Sequence, residues 1–158
     1  MRAKTIASGS KGNCAIVLSE HTNIIIDAGI SYLTLKKSLE ENSLSFDDFS
    51  GILITHCHKD HINGLSSIVK KTDLKVFIPE KMYDSLKEYL PIYKCIFIED
   101  NFNINDLSIE LIHTSHDAPS SVGYIIECNG KSLVYVTDTG YINRKYLTKM
   151  VAKDAYII

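Results

Sequence analysis

The feature that most constrains this chain is a run of metal-ligand residue types set against the end of an apolar strand. Gly51-Ile-Leu-Ile-Thr55 reads as a buried strand, and His56-Cys57-His58-Lys59-Asp60-His61 follows at its C-terminal end. Three of the chain's six histidines fall within that run. In an extended segment, side chains two residues apart point the same way, so His56 and His58 can grip one ion while Cys57 faces away. Asp60 and His61 lie a little farther on, at a turn into a helix, within reach of a second ion. Imidazole suits zinc and related divalent ions, and carboxylates extend the choice towards manganese and iron.

The surrounding pattern is strand-rich. Residues 4–7 lead into the glycine-rich turn Ser8-Gly9-Ser10-Lys11-Gly12-Asn13, and strands over 14–18 and 24–27 follow, joined by a polar turn. Residues 31–41 carry apolar side chains at 32, 33, 35 and 39, the spacing of an amphipathic helix. Beyond the histidine run, 62–71 reads as a helix, 75–78 as a strand and 79–90 as a second helix opened by Pro79. Strands are predicted over 95–98, 102–104, 107–113, 122–128 and 132–137, the last two joined by the hairpin dipeptide Asn129-Gly130. Residues 143–152 look helical, and 155–158 begin a further strand. Such a pattern predicts an α/β (α+β) fold of packed sheets covered by helices.

A length of 158 residues suits one domain, 1–158, and is too short for two ordinary ones. With 45% hydrophobic and 23% charged residues the chain reads as globular rather than disordered. A net charge of −2 argues against a dedicated non-specific nucleic-acid binder, so any such contact must use a local patch. Lys36-Lys37 and Lys70-Lys71 are the candidates, although solvated helix faces explain them more simply. The N-terminal residues lack the apolar stretch of a secretory signal, and no apolar run is long enough to cross a bilayer. Cys14, Cys57, Cys95 and Cys128 are widely spaced and form no C-x-x-C pair, as expected of reduced thiols in a cytoplasm.

Thr55-His56-Cys57-His58-Lys59-Asp60-His61-Ile62-Asn63-Gly64 resembles the T-H-x-H-x-D-H-x-x-G signature of the metallo-β-lactamase superfamily. That resemblance implies an αββα sandwich with metals at the sheet edge. Asp27-Ala28-Gly29 resembles the early D-x-G, whose aspartate supports the site without binding metal. Its place at the end of a buried strand favours orienting a ligating histidine through the free ring nitrogen. His116 resembles the next ligand, and Asp138 the carboxylate that bridges both ions. A closer resemblance is to the WalJ-type (YycJ-like) bacterial nucleases. It rests on Ala7-Ser8-Gly9-Ser10-Lys11-Gly12-Asn13, His116-Asp117-Ala118, Thr137-Asp138-Thr139-Gly140-Tyr141 and Asp154-Ala155-Tyr156-Ile157-Ile158.

These resemblances imply a two-metal hydrolase. His56, His58, His116 and Asp138 would hold a first ion, and Asp60, His61 and a shared Asp138 a second. Zinc is the default and manganese the competitor. Ions about 3.5–4 Å apart would share a hydroxide that attacks phosphorus. Asp60 and Asp138 are thus the expected catalytic carboxylates, and the expected substrate is DNA, cut 5′ to 3′. Ser10, Asn13 and Asp117 are candidate substrate contacts; a nest of loop amides with Ser10 would suit a phosphate oxygen. His113, inside a strand, competes with His116 and is better read as packed. His21 reads as exposed and Cys57 as a packed or oxidisable thiol.

Two other functions stay open: ester or thioester hydrolysis of the glyoxalase-II type, and metal binding without turnover. In the WalJ-type family an E-S-N-H-D-like stretch follows directly, and the last metal-binding histidine lies farther downstream. The expectation is therefore of a chain truncated at its C-terminus and a second half incomplete. The second metal position would then be the weaker, and an apolar edge near Tyr156-Ile157-Ile158 would favour self-association.

Overall fold

The computed structural model describes residues 1–158. Six strands form a first sheet in chain order: β1 (Arg2–Ala7), β2 (Cys14–Leu18), β3 (Asn23–Ile26), β4 (Gly51–Leu53), β5 (Val76–Pro79) and β6 (Cys95–Ile98). β1 to β3 are antiparallel and β3 to β6 parallel. Parallel neighbours need crossovers. They are supplied by α1 (Tyr32–Glu40), by α2 (Lys59–Ile62) with α3 (Leu65–Lys71), and by α4 (Tyr83–Leu86) with flanking 3-10 turns. Ile52, Leu53 and Ile54 are wholly buried, as a central parallel strand requires.

The second sheet has the order β11-β10-β9-β8-β7, from β7 (Asn101–Ile104), β8 (Leu107–His113), β9 (Val122–Cys128), β10 (Lys131–Tyr135) and β11 (Ala155–Ile157). α5 (Arg144–Met150) carries the chain from β10 to its parallel neighbour β11. Asn129 and Gly130 both take positive φ, 49° and 72°, in the tight turn that sets the β9–β10 register.

Alternation along the strands divides the second sheet's two faces. Ile109, Leu111, Tyr124, Ile126, Leu133 and Tyr135 join the main core, which also holds the isoleucines of β3 and residues of α1 and α3. Ile112, Ile125, Val134 and Val136 face the other way, beneath Tyr146 and Met150 of α5. The backbone N–H of Val122 donates to Thr55 O at 2.8 Å, tying the second sheet to the first where the histidine run begins.

Three expectations are corrected. The helix expected over 62–71 begins at Lys59 and breaks at Asn63-Gly64, because the Gly64 N–H turns to donate to Ala28 O at 2.8 Å. The continuous helix expected over 79–90 is a 3-10 turn followed by the single turn α4. Pro79 ends β5 in extended geometry, and Pro91 disfavours helix at Leu90 before it. The strand expected over 132–137 ends at Tyr135, leaving 136–138 to turn towards the histidines.

No helix is long and apolar enough to cross a membrane, and the four cysteines are unpaired. Lys36 and Lys37 face Glu40 and Glu41 one turn on, at 3.7 and 4.0 Å, and Lys71 lies over the Tyr32 ring. Those lysines form solvated helix faces rather than a concentrated basic patch.

Candidate metal centre

Four chain segments meet where β3, β4, β8 and β10 end. β4 runs into Thr55, His56 and His58, and the first turn of α2 presents Asp60 and His61. The loop after β8 brings His116, and the turn after β10 brings Asp138. His58 Nδ1 and His116 Nε2 are 3.0 Å apart, and the donor atoms of His56, His58 and His116 lie within 4.8 Å of one another. A second set, His56, His61 and Asp138, meets the same limit. In it His61 Nε2 is 2.8 Å and His56 Nε2 3.9 Å from Asp138 Oδ2. Asp60 Oδ2 stands 3.6 Å from His61 Nε2, on the border of this set. Three imidazoles beside an imidazole–carboxylate set, meeting at His56, make a donor arrangement that fits zinc and its neighbours.

A buried network beneath His56 and His61 engages Nδ1 of both rings. His61 Nδ1 donates to Asp27 Oδ2 at 2.8 Å, leaving Nε2 to face Asp60 and Asp138. Thr55 Oγ1 lies 2.9 and 3.0 Å from the two Asp27 oxygens and 3.0 Å from His56 Nδ1. The Thr55 N–H also donates to Asp27 Oδ1 at 2.8 Å. Asp27 thus contacts two residues of the histidine motif, Thr55 and His61. In the sequence Thr55 is only a motif letter, since nothing in its spacing reveals a hydroxyl held between a carboxylate and an imidazole.

Electrostatics act in opposite directions on the two buried rings. Burial, then the neighbouring His61, His116 and His58, push the pKa of His56 down to about 3, so its ring is neutral near pH 7. Burial works against a charge on His61. The hydrogen bond and charge of Asp27, then Asp60 and Asp138, outweigh it and raise the His61 pKa. Asp27 and Asp138 both have left-handed backbone, φ 61° and 49°, a conformation uncommon outside glycine and often found at functional positions.

A family model described as the β-lactamase superfamily domain matches residues 22–158. The chain belongs to the metallo-β-lactamase superfamily. The exodeoxyribonuclease YycJ of Bacillus anthracis is 32% identical over 157 residues, covering 96% of this chain and 60% of that protein. The exodeoxyribonuclease WalJ of Streptococcus pneumoniae is 31% identical over 160 residues, with 97% and 60% covered. The chain thus spans about 60% of the length of these curated relatives. The metallo-β-lactamase fold protein YhfI from Bacillus subtilis matches with a TM-score of 0.79 over 98% of this chain and 68% of that one. At 13% identity that likeness concerns the fold alone.

Two glycines of the superfamily motifs have a steric reason in this chain. A Cβ on Gly29 would lie 1.8 Å from Asp60 O, and one on Gly64 would lie 1.9 Å from Ile30 O. The segments bearing Asp27 and Asp60 can therefore touch only through bare backbone.

The remaining candidates separate clearly. Asn13 Nδ2 donates to Asp60 Oδ2 at 3.0 Å and to Gly9 O at 3.2 Å, so its side chain braces a metal-ligand candidate. Ser10 is exposed in the loop. Asp117 Oδ1 sits 3.4 Å from His58 Nε2 and 3.3 Å from His116 Nδ1, touching the remote nitrogens of two rings at once. His113 pairs with Asp100 at 2.6 Å, outside the cluster that holds His116. His21 is exposed beside Glu20, and Cys57 packs against the main core.

Proposed function

We propose that this chain is a two-metal hydrolase that cuts the phosphodiester backbone of DNA as an exonuclease. The observation that carries the reading is the pair of donor sets meeting at His56, in a fold whose curated relatives bear the name exodeoxyribonuclease. His56, His58 and His116 would hold one ion and Asp60 and His61 the other, with Asp138 shared between them. Zinc suits a histidine-rich set, with manganese as the competitor. Such ions would supply Lewis acidity at phosphoryl oxygens and lower the pKa of bound water to about 7.

The chain's own residues do the rest. Thr55 and Asp27 hold His56 and His61 so that Nε2 of each faces the centre. Asp117 would steady His58 and His116 from their outer nitrogens. Asn13 holds Asp60 Oδ2, the oxygen that stands 3.6 Å from His61 Nε2, and so keeps the carboxylate turned towards the centre. A 5′-to-3′ direction is what the WalJ-type resemblance implies.

The test uses the full-length chain with zinc or manganese, DNA labelled at either end, and a glutathione thioester. Mononucleotides released from the 5′ end, with the thioester intact, would support the reading. Thioester cleavage alone would assign glyoxalase-II-type chemistry instead. Metal binding with neither reaction would leave a non-catalytic metal binder.

A further inference from the structure

Beside the metal centre a groove of about 660 Å³ opens between the glycine-rich loop and the ends of β10 and β11. Ser8 and Ser10 line it from the loop, Tyr135 and Thr137 from β10 and the turn after it, and Asp60 and Asp138 from the metal centre. No lysine or arginine lines it. Its size falls in the range of pockets that take small organic ligands, enough for a mononucleotide.

Tyr135 is the informative residue. It is 3% exposed, and its ring shares the main core with Leu133 on the inward face of β10. Buried tyrosines usually satisfy the hydroxyl. Tyr124, wholly buried, does so by donating to Ile54 O at 2.6 Å. Tyr135 Oη has no partner within the chain, yet its residue reaches the groove. Thr137, next on the same face, also lines the groove, but its Oγ1 is fully buried without a partner and so is closed to a ligand, whereas Tyr135 Oη is not fully buried. Burial first, then Asp27, Cys14 and Asp138, push the Tyr135 pKa well up, so Oη keeps its proton and can donate. Neutral donors on both walls, with metal-ligand carboxylates between them, call for a ligand rich in acceptors whose charge the metals would balance.

We infer that Tyr135 Oη, with the Ser8–Ser10 wall, binds a phosphate oxygen of the substrate's terminal nucleotide beside the metals. Tyr135 is then a substrate-positioning residue that no sequence motif marks. The identity of the ligand rests on the phosphodiester reading above.

The experiment titrates thymidine 5′-monophosphate into the zinc-loaded full chain by calorimetry, in wild type and Tyr135→Phe, with thymidine as the control. Loss of one hydrogen bond to a charged acceptor should weaken the mononucleotide about tenfold. Thymidine binding should not change. The unfolding midpoint should stay level or rise, because the deleted hydroxyl has no partner in the chain. Equal mononucleotide affinity in the two proteins overturns the inference, as does a parallel loss of thymidine binding or no mononucleotide binding at all. A lower midpoint with unchanged affinity would make Tyr135 structural and overturn it too. Turnover is not needed for this readout. Binding through Tyr135 without DNA cleavage would leave the subsite standing and remove the exonuclease reading; cleavage with Tyr135-independent binding would do the reverse.

Discussion

His61 Nδ1 lies 2.8 Å from Asp27 Oδ2, and neither side chain is exposed. The pairing joins the end of β3 to the first turn of α2 and sets the direction in which His61 Nε2 points. Asp27→Ala would leave a buried ring nitrogen without an acceptor and free the ring to turn. Metal affinity at the His61 position should fall about 10–100-fold, the usual cost of losing a carboxylate behind a ligating histidine. A chelator-competition titration reads this. Unchanged affinity would show that the ring is oriented by packing alone.

Thr55 makes a sharper comparison because two substitutions separate shape from hydroxyl. Thr55→Val keeps the branched shape but deprives Asp27 and His56 of their shared partner. It should cost about 1–3 kcal/mol in urea unfolding and weaken metal binding. Thr55→Ser, which keeps the oxygen, should lose less than half as much. Equal losses in the two variants would assign the effect to the methyl group.

The split between what the sequence discloses and what it hides follows the range of the interactions. β2, β3, β4, β8 and β9 are legible because apolar period and turn residues act within a few positions, and Asn129-Gly130 names its own turn. The clustering of His56, His58 and His61 is legible because three ligands sit on one strand end and the turn after it. The approach of His116 and Asp138 is signalled only by motif resemblance, since no local pattern brings residues so distant in sequence to a strand end. Asn13 on Asp60 and Thr55 on Asp27 are tertiary contacts between polar groups, and alternation carries no signal for their partners. The 79–90 segment misleads for a related reason: its helical spacing is outweighed by Pro79 pairing in the sheet and by Pro91.

The two histidines near residue 115 should behave differently. His116→Ala removes a nitrogen 3.0 Å from His58 Nδ1, so metal retained after dialysis should drop sharply. His113→Ala breaks an exposed pair with Asp100, so metal content should hold and stability should change by less than about 1 kcal/mol. Metal loss in the His113 variant alone would reverse the assignment.

Asp138→Ala tests the sharing of one carboxylate. Its Oδ2 stands nearest His61 and within 4 Å of His56, so both positions should weaken together, and DNA cleavage should vanish with them. His21→Ala, exposed beside Glu20, should leave metal content and rate unchanged. Wild-type metal content and rate in the Asp138 variant would remove it from the centre.

Gly29 and Gly130 offer a last test, because the same substitution meets opposite surroundings. At Gly130 an added Cβ meets nothing within 4 Å, so Gly130→Ala costs only the left-handed backbone, about 1–2 kcal/mol. At Gly29 the Cβ would fall 1.8 Å from Asp60 O and 2.5 Å from Asn13 N, both backbone atoms that cannot swing aside. Relief requires the β3 end and α2 to separate, which would break the Asn13 N–H to Asp60 O bond of 2.7 Å and shift Asp60 itself. Gly29→Ala should therefore cost about 3 kcal/mol or more, at the upper end of overpacking penalties. It should also loosen metal at the Asp60–His61 side, whereas Gly130→Ala leaves metal affinity alone. Urea unfolding paired with chelator competition decides it. Equal stability in the two variants, or full metal affinity in Gly29→Ala, would mean that Asp60 is not positioned by this backbone contact.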